Sequence, residues 1–132
     1  MAASDRLTIL VVEDEALVAL DLEDLLIDLS HDVVATAASV DQALAFVRNA
    51  DTMPDAAIVD ANLGGKSARP VVDALDAQGV RVVVASGYGA TELARLGFES
   101  PSINKPYSAR DIEAALLRVR ASDEASTGGA TD

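Results

Sequence analysis

The chain has 132 residues, half of them apolar, with no cysteine and a formal charge of −12. One core can be buried at that length without covalent staples, and disulfides, thiolate metal sites and cysteine catalysis are excluded. The acidic balance and the lack of a basic patch with interleaved aromatics argue against direct binding to nucleic acid. The longest apolar stretches reach about half a membrane span, and Met1 to Arg6 has no signal-peptide character, so no membrane association and a cytoplasmic location are expected.

Residues 7 to 12, Leu-Thr-Ile-Leu-Val-Val, form a β-branched run that Glu13-Asp14-Glu15 ends, which predicts a buried strand. Apolar residues at Leu17, Leu20, Leu22, Leu25, Leu26 and Leu29, with Asp21, Glu23, Asp24 and Asp28 between, predict an amphipathic helix from Ala16 to near Ser30. Val33 to Ala35 is a short strand. Ser39 and Gln42 form a capping box for a helix through Val47. Met53-Pro54-Asp55 precedes a strand over Ala56 to Val59, which stops at Asp60, and Gly64-Gly65 is a loop. Pro70 suits the first turn of a helix through Asp76 that Gly79 ends. Arg81 to Ala85 is a fourth strand. Thr91 to Leu96 leaves room for a very short helix, Ser102-Ile103 is a strand stub, and Ser108 caps a last helix with Ile112, Leu116, Leu117 and Val119 inward. Strand and helix alternate five times, which predicts an α/β fold with a parallel sheet covered on both faces. Residues 1–6 are read as an extension, 7–120 as the single domain, and 121–132 as a polar tail with no buryable pattern.

In open α/β sheets, sites form outside the carboxyl ends of the strands. Glu13 and Asp14 follow strand one, Asp60 strand three, Ser86 strand four and Lys105 strand five. Taken singly, each has a plain structural role: a helix start, a turn, a solvated charge. Together they make chemical sense. Three crowded carboxylates must share a proton or a cation, and hard oxygen ligands suit Mg²⁺. The Asp60 carboxylate is a competent nucleophile toward phosphorus, Lys105 can pair with it before reaction and with the phosphoryl group afterwards, and Ser86 offers a hydroxyl.

Leu-Val-Val-Glu-Asp-Glu at 10 to 15, Ile-Val-Asp-Ala-Asn-Leu at 58 to 63, Val-Ala-Ser-Gly at 84 to 87 and Asn-Lys-Pro-Tyr at 104 to 107 resemble, in order and spacing, the receiver domain of two-component response regulators. The resemblance implies a flavodoxin-like fold with strand order 2-1-3-4-5. It implies phosphorylation at Asp60, with Mg²⁺ held by Asp14, Asp60, the backbone carbonyl of Asn62 and, through water, Glu13. Ser86 matches the switch hydroxyl and Lys105 the phosphoryl-contacting lysine, with a cis Lys105-Pro106 bond. The donor would be a histidine kinase or a histidine phosphotransfer protein. Ser102 stands where most receivers carry an aromatic switch residue, so that mechanism does not carry over, and Tyr88 is the candidate in its place. The short interval from Ser86 to Lys105 and the stretch Val83 to Tyr88 are similar to the alphaproteobacterial single-domain FAT GUY receivers, with Val for Phe and Ser for Thr.

These readings predict a stand-alone phosphoacceptor receiver, monomeric or weakly dimeric, that signals by protein contacts and can assist its own phosphorylation and dephosphorylation without being an enzyme in the ordinary sense. Ser86 to Gly97, with three glycines and a short helix, is expected to change conformation. A pseudo-receiver scaffold that works without phosphorylation is the competing reading. An aspartyl-phosphate phosphatase is disfavoured, because Asn62 stands where such an enzyme needs a second acid.

Overall fold

The computed structural model describes residues 6–87, 89–98, 100–105 and 107–119. Runs of Val, Ile and Ala too short for helices become five parallel strands: β1 (Thr8–Val12), β2 (Asp32–Ala37), β3 (Ala56–Asp60), β4 (Arg81–Ser86) and β5 (Ser102–Asn104). Their order in the sheet is β2-β1-β3-β4-β5. Between them run α1 (Ala16–Asp28), α2 (Val40–Asn49), α3 (Arg69–Ala77) and α4 (Ala90–Arg95), and residues 109–119 form the last helix, α5. This is the flavodoxin-like topology.

The sheet is buried on both faces, which is why its strands read as continuous apolar runs rather than alternating ones. On one face Leu22 and Leu26 of α1 and Ile112 and Leu116 of α5 join Ile9, Val11, Ile58 and Val83. On the other, Ala43 of α2, Val71 and Leu75 of α3 and Leu93 of α4 join Leu10, Val12, Val59 and Val84. Every residue of β3 is buried. Burial of Ile58 and Val59, at roughly 1.5 to 3 kcal/mol for each such side chain, anchors this strand, and Asp60 is its last residue.

Sequence signals at helix ends are realised as hydrogen bonds. The Ser39 hydroxyl accepts from the Gln42 N–H at 3.1 Å, and the Gln42 side chain accepts from the Ala38 N–H at 2.8 Å. Ser108 and Asp111 bond each other's amides reciprocally. Three expectations change. Leu17 and Leu20 are 78 % and 55 % exposed, so α1 buries a narrower stripe through Ala19, Leu22 and Leu26. Leu117 is 56 % exposed, whereas Ala115 is buried. The inward positions 112, 115, 116 and 119 follow the i, i+3, i+4, i+7 rule, which leaves 117 on the far side. The expected loop at Gly64-Gly65 is instead a hairpin, Asn62–Leu63 paired antiparallel with Lys66–Ser67. Both glycines have positive φ, 61° and 88°, as the tight hairpin turn requires. The 121–132 tail, Tyr88 and the Lys105-Pro106 bond lie outside the described residues.

Candidate functional site

All five strands point the same way, so their carboxyl ends deliver side chains to one edge. The register sets Val12 of β1 beside Val59 of β3, Asp60 beside Ala85, and Ser86 beside Asn104. Glu13, Asp60 and Ser86 are the buried polar residues there, at 3 %, 7 % and 3 % exposure, and Asp14 is exposed. The Lys105 amide donates to the Ser86 carbonyl at 2.8 Å, which fixes where the lysine leaves the sheet.

Lys105 closes the cluster. Its Nζ lies 2.7 Å from Asp60 Oδ2 and 3.0 Å from Glu13 Oε1. Burial pulls its pKa down, but hydrogen bonds to Asp60 and Glu13, with their charges, outweigh that and leave it above the usual lysine value. Burial is also the largest influence on Glu13. It raises the carboxyl's pKa against the opposing pull of the Glu15 amide and Lys105.

The second oxygens are held by backbone. Glu13 Oε2 accepts from the Glu15 N–H at 3.0 Å, Asp60 Oδ1 from the Asn62 N–H at 3.1 Å, and Asp14 Oδ2 from the Gly64 N–H at 3.0 Å. Asn62 is exposed, and its side-chain oxygen accepts from the Gly65 N–H at 2.8 Å. Carboxylate oxygens of Glu13, Asp14 and Asp60 all lie within 4.8 Å of one another. An all-oxygen donor set that close, with one member open to solvent, fits a hard divalent cation that keeps some of its waters.

Beside the site, α1 and the segment after β5 bound a groove of about 630 Å³, lined by Val18, Asp21, Leu25, Lys105 and Tyr107 among others. The Tyr107 hydroxyl is buried with no hydrogen-bond partner among the described residues. Burial, then the Glu13 charge, pushes its pKa up to about 12.

The structure therefore brings Glu13, Asp14, Asp60, Asn62, Ser86 and Lys105 to one edge, as the sequence predicts. Two contacts were not anticipated: the ion pair of Lys105 with Glu13, and the tie from Gly64 to Asp14. The second was within reach, because two glycines between short polar and apolar residues are a hairpin signal.

No family model matches the chain, and no curated protein sequence matches it. Solved structures do. SdrG from Sphingomonas melonis Fr1 is 37 % identical, with a TM-score of 0.71 over 85 % of this chain and 94 % of that one. The REC domain of the PhyR response regulator of Erythrobacter litoralis is 28 % identical, with a TM-score of 0.75 over 89 % of this chain and 92 % of that one. The chain belongs to the response regulator receiver domains. The receiver also matches the response regulator PhyR from Brucella abortus at 26 % identity and a TM-score of 0.80, over 95 % of this chain but 52 % of that one, about half its length. Among the described residues, no helix of the receiver is long and apolar enough to cross a membrane.

Proposed function

We propose that this receiver accepts a phosphoryl group on Asp60 from a phosphohistidine of a histidine kinase or histidine phosphotransfer protein, in the cytoplasm, with residues 7–120 as the working unit. The observation that carries the reading is the Asp60 carboxylate, gripped by Lys105 at 2.7 Å and crowded by Glu13 and Asp14. An Asp60 oxygen forms the bond to phosphorus as the P–N bond to the donor imidazole breaks, and the imidazole nitrogen keeps the electron pair. Negative charge then stands on the phosphoryl oxygens. Lys105, already at the Asp60 oxygen and held charged there by Asp60 and Glu13, pairs with them. Ser86, buried at the end of the neighbouring strand, offers its hydroxyl to one of them. Asp14, Asp60 and the Asn62 carbonyl are the residues that would hold Mg²⁺, with Glu13 acting through water. The cation supplies neutralisation of the crowded carboxylates and of the incoming phosphoryl charge.

Output runs through protein contacts of the Ser86–Gly97 region, with Tyr88 as a candidate switch residue in place of the aromatic that Ser102 replaces. Membership of the FAT GUY subgroup belongs to this proposal. A pseudo-receiver would have no use for two buried carboxylates held by a lysine at bonding distance, since burying them costs stability. Incubation with Mg²⁺ and acetyl phosphate should add one phosphoryl mass, and Asp60→Asn should abolish it. No adduct in the wild type, or an undiminished adduct in Asp60→Asn, sinks the assignment.

A further inference from the structure

Helix α4 ends on an unusual neighbour. Its last turn closes with the Gly97 N–H on the Ala94 carbonyl at 3.0 Å and the Phe98 N–H on the Leu93 carbonyl at 2.9 Å, a Schellman turn with Gly97 at φ 91°. The side chains of Leu93 and Phe98, which flank that turn, are both buried in the core. On the open side of Gly97 lies Arg69: a Cβ placed on the glycine would overlap Nη1 and come within 2.9 Å of Cζ. The guanidinium thus packs against Gly97 at the C-terminal end of a helix of six residues, where a cation complements the dipole, and its Nε also lies 3.7 Å from Asp73 Oδ1 on its own helix. Arg69 and Gly97 also line one groove of about 560 Å³ between α3 and the turn into β5.

The other end of this contact is the Asp60 loop. Arg69 is the first residue of α3, and its N–H donates to the Ser67 hydroxyl at 3.1 Å. Ala68, fully buried, donates its N–H to the carbonyl of Ala61 at 2.9 Å, next to Asp60. The first strand and the turn of the intervening hairpin are tied to the Asp60 and Asp14 carboxylates by the amides of Asn62 and Gly64 respectively. The chain from carboxylate to the Arg69 backbone is short and hydrogen-bonded, and the Arg69 side chain completes it by packing on Gly97.

We infer that Arg69 is a coupling residue: it latches the end of α4 to the loop that follows Asp60, so that a change at Asp60 reaches α4 by a route that does not pass through Ser86. The signalling half of this rests on the phosphoacceptor reading, whereas the latch itself exists without any phosphoryl group. Both can be read by amide exchange in the full chain, with and without Mg²⁺ and beryllofluoride, in wild type, Arg69→Ala and Arg69→Lys. Without the mimic, Arg69→Ala should speed exchange at Gly97 and Phe98 by about fivefold, with β1 and β3 unchanged, and Arg69→Lys should recover part of the protection. With the mimic, the response of α4 should fall to less than half in Arg69→Ala, while the Asn62–Ser67 loop responds as in wild type. Wild-type exchange at Gly97 and Phe98 in Arg69→Ala would overturn the latch. A full α4 response in that variant would overturn the coupling alone. No response of the Asn62–Ser67 loop in wild type would overturn the phosphoacceptor reading, and with it the coupling.

Discussion

Two segments leave the same edge of the sheet and are built in opposite ways. The one after β3, Ala61 to Ala68, is pinned throughout. Ala61 bonds the Ala85 carbonyl, Ala68 returns to Ala61, and the amides of Asn62, Gly64 and Gly65 each have a side-chain acceptor. The one after β4, from Ser86 to Phe98, has a six-residue helix with no side-chain cap at Gly89. Among its described side chains, Leu93 and Phe98 are the buried apolar ones, while Thr91, Glu92, Ala94, Arg95 and Leu96 are exposed. Carboxylates must be held within a fraction of an ångström for in-line chemistry, whereas a segment that reports a change must have two arrangements of similar energy. Among the described residues, the first is tied by more of its own polar groups than the second.

The largest test of this contrast is Lys105→Met. It leaves Glu13 and Asp60, both buried, without their cation, so the unfolding free energy at pH 7 should fall by about 3 kcal/mol, read by urea denaturation. A loss below about 1 kcal/mol would mean that the amides alone hold the edge. On the loose side, Phe98→Ala should lower the global unfolding free energy by about 2 kcal/mol instead of the roughly 4 kcal/mol of a fully integrated phenylalanine, because α4 opens locally before the sheet does. A full-sized loss would make α4 part of the rigid body and erase the contrast.

Glu13 sharpens the same point through pH. Burial raises its carboxyl above 4.5, so the folded state binds that proton more tightly than the unfolded chain. Stability from this group is therefore present below about pH 4.5 and lost as pH rises through the folded value. Glu13→Gln should melt near the wild-type temperature at pH 4 and above it at pH 7, as seen by thermal denaturation. A Glu13→Gln variant that instead melts below the wild type at pH 7 would show that Lys105 more than offsets the burial of Glu13.

The sequence was legible where function and backbone punctuation coincide. Glu13, Asp60, Ser86 and Lys105 could be found because each interrupts or follows an apolar run, and parallel strands gather their carboxyl ends by topology alone. What stayed hidden depends on contacts between distant residues. Apolar residues surround much of α1, so periodicity could not exclude Leu17 and Leu20 from the core. Leu117, by contrast, could be excluded from the sequence, because it falls outside the i, i+3, i+4, i+7 positions that run inward from Ile112. No local signal announces that Arg69 covers Gly97, because the contact spans much of two helical units and depends on where α3 begins. The Gly64-Gly65 hairpin does have a local signal, two glycines between short polar and apolar residues.

The smallest effect concerns the two kinds of helix end. α1 closes with the same turn as α4: the Ser30 N–H bonds the Ile27 carbonyl and the His31 N–H the Leu26 carbonyl, both at 2.9 Å. Yet the residue in the left-handed position is Ser30, at φ 70°, whereas α4 uses glycine. A serine pays for its Cβ there, and glycine pays only in unfolded-state entropy. Ser30→Gly should therefore raise the unfolding free energy by about 0.5 kcal/mol, measured by urea denaturation. Gly97→Ala should do the reverse and cost more than the φ alone implies, because the new methyl group also displaces Arg69. If the two substitutions change stability by equal and opposite amounts, backbone strain is the whole difference between the two turns, and Arg69 adds nothing to the end of α4.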